Sequence, residues 1–121
     1  MSCQANAVEW ARIAASAAAD KKATDIVALD VSGVFAITDV FLICSAVNQR
    51  QVAAVVDEIE FRLKQAGAAP PRREGQQEGR WVLLDFGDIV AHVQLREERE
   101  LYGLERLWRD CPALDVAAAA V

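Results

Sequence analysis

The sequence predicts a single α/β domain in which helices pack on a mixed β-sheet. Two observations support this class: a chain of 121 residues with 54% hydrophobic content has the size and composition of one folded domain, and helix-like and strand-like segments alternate along it. The predicted order is helix, two strands, helix, two strands, helix. We expect one domain over residues 1–113 and a disordered low-complexity tail over residues 114–121.

The first helix is predicted over residues 7–20. Asn6 and Glu9 have the spacing of a capping box, and Trp10 and Ile13 begin a series of apolar residues at helical spacing. Most other apolar residues in this segment are alanines, which favour a helix but carry little side-chain volume. We therefore expect Trp10 and Ile13 to anchor the helix.

The next three elements have separate signals. Two short apolar runs rich in β-branched residues, Asp25–Val31 and Asp39–Ala46, predict two strands, and their nearly continuous apolar character is typical of strands covered on both faces. Asn48 and Gln51 then have the spacing of a second capping box in front of an apolar helical stripe. Gly67 is placed to take the left-handed position after this second helix.

A polar loop and a hairpin are predicted next. The run Arg72–Gly79 is the most hydrophilic part of the chain, which indicates a loop. Trp81–Phe86 and Ile89–Leu95 predict two strands. The two residues Gly87–Asp88 between them favour a tight turn, because glycine accepts a positive φ without steric strain.

The net charge indicates the kind of partner. Eighteen acidic and 13 basic residues give a net charge of −5, whereas binding to nucleic-acid phosphates needs an excess of Lys and Arg. One local cluster of positive charge, formed by Arg72, Arg73 and Arg80, could contact a phosphate. For the chain as a whole, the sign favours a partner with a basic surface, and no sequence-specific nucleic acid is expected.

The cysteines and the hydropathy pattern indicate the cellular compartment. Cys3, Cys44 and Cys111 are far apart and odd in number, so they indicate neither a disulfide framework nor a metal site. Residues 1–16 lack a basic flank and an unbroken apolar run, and no stretch of about 18 apolar residues occurs. We expect a cytoplasmic protein with reduced thiols and no membrane partner.

Few residues are typical of catalysis. His92, the single histidine, lies inside an apolar strand, where a structural role is more common than a general base. No nucleophile elbow, glycine-rich phosphate loop or zinc-ligand spacing occurs. The pattern predicts no catalytic residue, no metal and no cofactor.

Aspartates at predicted strand ends leave one enzymatic alternative open. They are Asp25, Asp30, Asp39, Asp85 and Asp88. A metal-dependent transferase usually aligns two carboxylates on one face of a strand, whereas Asp85 and Asp88 are three residues apart and straddle a turn. Turn and cap formation is the favoured interpretation. The alternative is a metal-dependent nucleotidyl or phosphoryl transferase that uses Asp30, Asp39 or Asp85.

The last helix is predicted from Glu97 to Trp108. Its apolar residues recur at helical spacing: Leu101, Leu104, Leu107 and Trp108. Its charged residues allow pairs four residues apart, from Glu98 to Tyr102 and from Tyr102 to Arg106, as on a solvated surface. The same mixture of Tyr, Trp and Arg is also typical of an interface, and the composition favours neither interpretation.

Four segments resemble one known family. Residues 25–46 (DIVALDVSGVFAITDVFLICSA) and 48–67 (NQRQVAAVVDEIEFRLKQAG) are similar to the front half of the Iojap-related ribosomal silencing factor family. Residues 78–94 (EGRWVLLDFGDIVAHVQ) and 97–108 (EERELYGLERLW) are similar to its back half. The resemblance runs without a gap from Lys22 to Pro112. Two positions depart from the pattern: Gln94 stands where an apolar residue is common, and Leu101 stands where Phe is common.

The resemblance implies a function by docking. Family members bind ribosomal protein L fourteen on the large ribosomal subunit, block association with the small subunit and repress translation when nutrients are scarce. Related organellar proteins act in large-subunit assembly. The family also implies homodimers and a nucleotidyltransferase-like fold. The Gly-Ser and paired-carboxylate signature of nucleotidyl transfer is missing, because residues 44–52 read CSAVNQRQV, so we expect a steric mechanism and no enzyme activity.

We place the predicted docking surface on the second hairpin and the last helix. Its six candidate residues are Trp81, Asp85, Asp88, Tyr102, Glu105 and Trp108. The carboxylates would pair with Lys or Arg on the partner, and the aromatic side chains would supply buried area.

Overall fold

The computed structural model describes residues 5–116 and follows the predicted alternation of helices and strands. The helices are α1 (Ala5–Asp20), α2 (Gln49–Gln65), α3 (Arg96–Tyr102) and α4 (Leu104–Leu107). The strands are β1 (Thr24–Asp30), β2 (Val40–Ala46), β3 (Arg72–Glu74), β4 (Trp81–Asp85), β5 (Ile89–Leu95) and β6 (Ala113–Leu114). None of the described helices is long and apolar enough to cross a membrane.

The strands form a mixed sheet in the order β3-β4-β5-β2-β1-β6, which confirms the predicted class. β2 pairs in parallel with β5, in register from Val40 beside Ile89 to Ala46 beside Leu95. The other described strand pairs are antiparallel. Every residue of β2 and β5 is buried. These two strands lie centrally and are covered on both faces, which explains their continuous apolar sequence.

Alternation along the strands gives the sheet two packed faces. One face lies under α1 and α2, and its core includes Leu42, Cys44 and Val93. Burial raises the pKa of the Cys44 thiol to about 12, so this cysteine behaves as a small apolar residue. The other face carries a second core around Phe41 and Ile43. We call this second side the aromatic face.

The start of α1 differs from the prediction. The helix already includes Ala5, so Asn6 lies inside it and is not the cap; its Nδ2 donates to Asp88 Oδ2 at 3.4 Å. Trp10 and Ile13 are only partly buried. The fully packed residues are the alanines at positions 7, 11, 14, 15, 17 and 18. Small side chains let α1 lie close to α2 and the sheet, so close approach replaces side-chain volume as the anchor.

The predicted cap of α2 is confirmed. Asn48 Oδ1 accepts from the backbone N–H of Gln51 at 2.8 Å. The reciprocal bond is shifted by one residue, because Gln51 Oε1 accepts from the N–H of Val47 at 2.8 Å. Gly67 has the positive φ, 104°, that was predicted at the end of this helix. The buried stripe of α2 consists of Val52, Val55, Val56, Ile59 and Leu63.

The predicted loop Arg72–Gly79 contains a strand, so this prediction was wrong at its start. β3 pairs with β4, and Arg73 Nε donates to Glu60 Oε1 of α2 at 2.7 Å. A charged strand therefore holds the sheet edge through an ion pair with a helix. The hairpin that follows is confirmed: the N–H of Phe86 donates to the carbonyl of Ile89 at 2.9 Å across a two-residue turn, in which Gly87 has φ 88°.

The predicted last helix is interrupted at Gly103. This residue adopts the left-handed conformation (φ 53°, ψ 48°), and its N–H donates to the carbonyl of Arg99 at 3.0 Å, which ends α3. The chain then changes direction into α4. Order also continues past residue 113, because Leu114 pairs with Ala28 and Val116 is buried. The rest of the predicted tail, residues 117–121, lies outside the described residues.

The alanine packing of α1 can be tested by overfilling it. We expect Ala14→Leu to lower the free energy of unfolding by about 1–3 kcal/mol, because a leucine cannot enter a fully packed contact without displacing its neighbours. Ala53→Leu, at an exposed position of α2, is the matched control and should change stability by less than about 0.5 kcal/mol. Urea unfolding of both variants makes the comparison; equal stabilities would contradict the packing account.

Candidate docking surface

A row of rings crosses the aromatic face. The ring of Tyr102 packs on Trp81 with centroids 4.8 Å apart, and Trp81 Nε1 donates to His92 Nδ1 at 3.2 Å. Phe41 meets His92 edge-on at 5.0 Å, and Trp108 meets Phe41 edge-on at 4.9 Å. These distances are favourable for aromatic pairs. We call these five residues the aromatic row; it joins β4, β5 and β2 to α3 and to Trp108, which directly follows α4.

His92 is a structural member of this row. Its Nδ1 accepts the Trp81 hydrogen bond, so in the neutral ring the proton resides on Nε2. Nε2 is buried and has no hydrogen-bond partner among the described residues. Burial lowers the pKa of His92 to about 4, which keeps the ring neutral near pH 7. This geometry agrees with the structural interpretation of the only histidine.

Arg99 connects the helices to the sheet below them. Its side chain is buried, and its Nη1 donates to Ser45 Oγ at 2.9 Å. Its Nε and Nη2 donate to the two carboxylate oxygens of Glu105 at 2.9 and 2.8 Å. The guanidinium of Arg99 lowers the pKa of Glu105, against an opposing effect of burial. No sequence signal indicates this role, since Arg99 stands among charged residues typical of a solvated helix.

Four of the six predicted site residues are joined by these contacts. Trp81 and Tyr102 touch at one end of the aromatic row, and Trp108 closes the other end. Glu105 is held by Arg99. The predicted helix pairs of Tyr102 with Glu98 and Arg106 are absent within residues 5–116; Glu98 accepts instead from Arg80.

The two predicted aspartates lie at the turn end of the hairpin. Asp85 shares the aromatic face with Phe41, because Asp85 pairs with Val90 and Val90 pairs with Phe41. Its Oδ1 accepts from the N–H of Gly87 at 2.8 Å, which confirms a turn-forming role. Asp88 belongs to the turn and meets Asn6. Trp81 and Asp85 are four residues apart on one strand, on the order of 13 Å.

Exposed apolar side chains lie at both ends of the strands, because the loop between β1 and β2 meets the hairpin turn and α3 begins at the opposite end. They belong to the loop between β1 and β2 and to α3 and α4: Val34, Ile37, Leu101, Tyr102 and Leu107. Ile37 is 84% exposed and Leu101 is 72% exposed, values that no packing role explains. Of the three leucines at helical spacing, Leu101, Leu104 and Leu107, only Leu104 is buried, and the helix breaks at Gly103 between Leu101 and Leu104.

The arginines of the predicted phosphate cluster differ from the carboxylates of α3 in their pairing. Each arginine of the predicted phosphate cluster is engaged: Arg72 with Asp85 at 3.5 Å, Arg73 with Glu60, and Arg80 with Glu98 at 2.8 Å. On α3, by contrast, Glu97 and Glu100 are exposed and have no ion-pair partner within residues 5–116. The surface next to Leu101 and Tyr102 therefore carries two unpaired carboxylates, together with the exposed guanidinium groups of Arg96 and Arg106.

Asp30 forms a local turn after β1. Asp30 Oδ1 accepts from the N–H and the hydroxyl of Ser32, at 3.0 and 2.6 Å, so its turn-forming role is confirmed. Within residues 5–116 no three His, Cys, Asp or Glu side chains are grouped so that they could hold a metal ion. A cavity of about 880 Å³ lies between α2 and residues 75–79, and none of the six predicted site residues lines it.

Fold and surface together define a class: a small α/β domain with two helices on one face of a mixed sheet and an aromatic core beside two short helices on the other. The family described as "Ribosomal silencing factor during starvation" matches residues 4–120. The chain belongs to this family.

Individual relatives agree with this assignment. The chain is 45% identical over 105 residues to the ribosomal silencing factor RsfS of Bacillus subtilis, covering 87% of this chain and 89% of that protein. A crystal structure of a Chromobacterium violaceum protein superposes with a TM-score of 0.80 at 36% identity, over 84% of each chain. A crystal structure from Bacillus halodurans gives 0.77 at 39% identity, over 88% of this chain and 97% of the other.

Two organellar proteins are more distant relatives. The chain is 30% identical over 118 residues to the chloroplastic protein Iojap of Zea mays, covering 93% of this chain and 49% of that protein. It is 34% identical over 91 residues to a Mus musculus protein named for mitochondrial assembly of the ribosomal large subunit, covering 73% of this chain and 40% of that protein.

The burial of His92 predicts a pH dependence of stability. The folded-state pKa of about 4 lies below the unfolded value of 6.5, so the unfolded chain takes up the proton first. The contribution of His92 to stability is therefore complete above pH 6.5 and is lost as the pH falls from 6.5 towards 4. Between pH 7.5 and 4.5 the wild-type protein should lose about 2 kcal/mol more free energy of unfolding than His92→Gln. Equal losses in urea titrations at both pH values would show that His92 is not desolvated.

Proposed function

We propose that this chain binds the large ribosomal subunit through ribosomal protein L fourteen and thereby keeps the small subunit from joining. The observation that carries the proposal is the exposed surface of α3, where Leu101 and Tyr102 stand beside the free carboxylates of Glu97 and Glu100. The Bacillus subtilis relative is named a ribosomal silencing factor, which supports the ribosome as the partner.

The chemistry of this surface suits a basic ribosomal protein. Exposed Tyr and Leu side chains gain free energy when a partner covers them, and free carboxylates complement Lys and Arg at the rim of an interface. Arg72, Arg73 and Arg80 each have a carboxylate of the chain beside them, which partly neutralises their attraction for RNA phosphates. A protein partner therefore fits better than bare ribosomal RNA.

The proposed mechanism is steric and involves no catalysis. A domain that occupies the joining face of the large subunit excludes the small subunit by its volume alone, and no bond is made or broken. Translation in the cytoplasm would fall in proportion to the occupied subunits, which suits repression under nutrient limitation. The six residues of the predicted docking surface remain part of the proposal, with Leu101 added from the structure.

Homodimerisation belongs to the same proposal. The exposed apolar side chains of α3 and α4, Leu101, Tyr102 and Leu107, are also available to a second copy of the chain. Because one surface cannot serve two partners at once, a dimer formed there would have to dissociate before docking. Light scattering as a function of concentration, with and without large subunits, measures this competition.

Truncation of Tyr102 tests the docking surface. We expect Tyr102→Ala to weaken binding to purified large subunits about 30-fold, corresponding to about 2 kcal/mol for an aromatic hot-spot residue. Phe61→Ala is the matched control, because Phe61 is a similarly exposed aromatic residue (56% against 53%) on α2, away from the proposed surface. Sucrose-gradient sedimentation of subunits with each variant gives the bound fraction and the fraction of joined ribosomes.

Either of two results would contradict this assignment. If Phe61→Ala weakens binding and Tyr102→Ala does not, the surface of α2 faces the ribosome. If the wild-type protein neither migrates with large subunits nor lowers the fraction of joined ribosomes, the silencing function itself is wrong.

The acidic part of the predicted surface needs a separate test. Asp85→Asn keeps the side-chain oxygen that accepts from Gly87 and removes the charge, so the turn is retained. If Asp85 forms a buried ion pair with the partner, binding should weaken by about 2–5 kcal/mol, as it should for Asp88→Ala. Glu74→Gln, an exposed carboxylate at the sheet edge, is the control. Unchanged binding of both aspartate variants would remove the hairpin turn from the docking surface.

A second candidate function is large-subunit assembly. It is favoured by the Mus musculus relative, whose name refers to assembly of the mitochondrial large subunit. Depletion separates the two: immature large subunits accumulate if the chain acts in assembly, whereas mature subunits with excess translation in starved cells indicate silencing. The metal-dependent transferase alternative is tested by calorimetry with magnesium and nucleoside triphosphates, where saturable binding would support it.

A further inference from the structure

The buried side chain of Arg99 is the feature of α3 that the docking surface does not use directly. Only 7% of this residue is exposed, and three of its nitrogens donate hydrogen bonds to Ser45 and Glu105. A buried guanidinium is tolerated only where acceptors match its planar fork, and the carboxylate of Glu105 does so with both oxygens. The ion pair of Arg99 with Glu105 therefore differs from a surface ion pair, because the guanidinium is buried and three of its nitrogens have acceptors.

The partners of Arg99 lie on different elements. Ser45 is near the end of β2, Arg99 is in the middle of α3, and Glu105 is in α4. Isolated helices of seven and four residues are not stable in water, so α3 and α4 depend on tertiary contacts for their conformation. Gly103 between them allows the change in direction but does not fix it. Arg99 ties both helices to the central strand of the sheet.

The residues proposed to contact the partner lie within this tied segment. Leu101 and Tyr102 lie two and three residues after Arg99, and Tyr102 packs on Trp81, whose ring is oriented by the hydrogen bond to His92. A change in the orientation of α3 would move Leu101 and Tyr102 together. The geometry of the proposed interface therefore depends on a residue that the partner need not touch.

We propose that Arg99 is a positioning residue: with Ser45 and Glu105 it holds α3 and α4 in the orientation that presents Leu101 and Tyr102 to the ribosomal partner. This inference rests on the proposed function. It also gives Glu105 a different task from direct contact, since both carboxylate oxygens are occupied by Arg99. Ordering these helices before the encounter removes an entropic cost from binding.

A positioning residue and a contact residue have different kinetic signatures. If α3 and α4 are oriented correctly only part of the time, the competent fraction of free protein falls, which slows association and leaves the bound state unchanged. Loss of a contact residue mainly accelerates dissociation. The change in the association rate, compared with the change in the dissociation rate, therefore distinguishes a positioning residue from a contact residue.

The experiment measures association and dissociation rates of immobilised full-length protein with purified large subunits. Arg99→Lys keeps the charge but loses the fork, and we expect association about tenfold slower with dissociation changed less than about twofold. Tyr102→Ala should show the reverse pattern. Arg96→Lys, an exposed arginine of the same helix without an ion-pair partner within residues 5–116, is the matched control and should match the wild type.

Hydrogen exchange on the free variants provides the structural readout. For Arg99→Lys, amides of residues 97–107 should exchange faster, while those of β2 and β5 keep the wild-type rates. If Arg99→Lys does not fold, Glu105→Gln replaces it: this variant keeps the bond from Arg99 to Ser45 and weakens only the fork, so a smaller shift of the same kind is expected.

The outcomes distinguish this inference from the proposed function. Faster exchange in α3 and α4 with unchanged association would overturn the positioning role, as would faster dissociation with normal association. A wild-type protein that does not bind large subunits would overturn the proposed function, and the positioning role with it.

Discussion

The parallel pairing of β2 with β5 is the constraint on which the rest of the structure depends. Two parallel strands cannot be joined by a tight turn, so the chain between Ala46 and Ile89 must cross the sheet. That crossover supplies α2, which packs beside α1, and then β3 and β4. These two strands extend the sheet, with β4 antiparallel to β5 and β3 antiparallel to β4. Because β5 then ends beside β2, the next residues enter α3 directly above Ser45, where Arg99 can reach its hydroxyl.

The elements that the sequence predicted are those whose signals are local. Asn48 in front of an apolar stripe is sufficient to mark α2, and the continuous apolar runs of β2 and β5 reflect burial on both faces. The errors have non-local causes. The charged residues of β3 predict a loop. They form a strand because they pair with β4 and because Arg73 forms an ion pair with Glu60. Leu114 of β6 falls in the predicted tail, because a strand of two residues that pairs with β1 has no sequence pattern of its own.

Only part of the candidate surface could be predicted, because some of its residues are positioned by contacts between distant parts of the chain. Trp81 and Tyr102 were chosen for composition, and the structure brings their rings together. Leu101 was not among the predicted site residues; the structure leaves it exposed, whereas Leu104, beyond the break at Gly103, is buried. Arg99 was missed because its partner Ser45 lies 54 residues away and its second partner follows the break. Tertiary contacts of this kind leave no periodic signal in one sequence.

We propose above all that the α3 end of the aromatic face, with Leu101 and Tyr102, contacts the large subunit. A cryo-electron microscopy map of the chain bound to purified large subunits tests it most directly. The account predicts Leu101 and Tyr102 of α3 against ribosomal protein L fourteen, with α1 and α2 turned towards solvent. A map in which α2 and Phe61 face the ribosome, or in which the chain contacts only RNA, would contradict it.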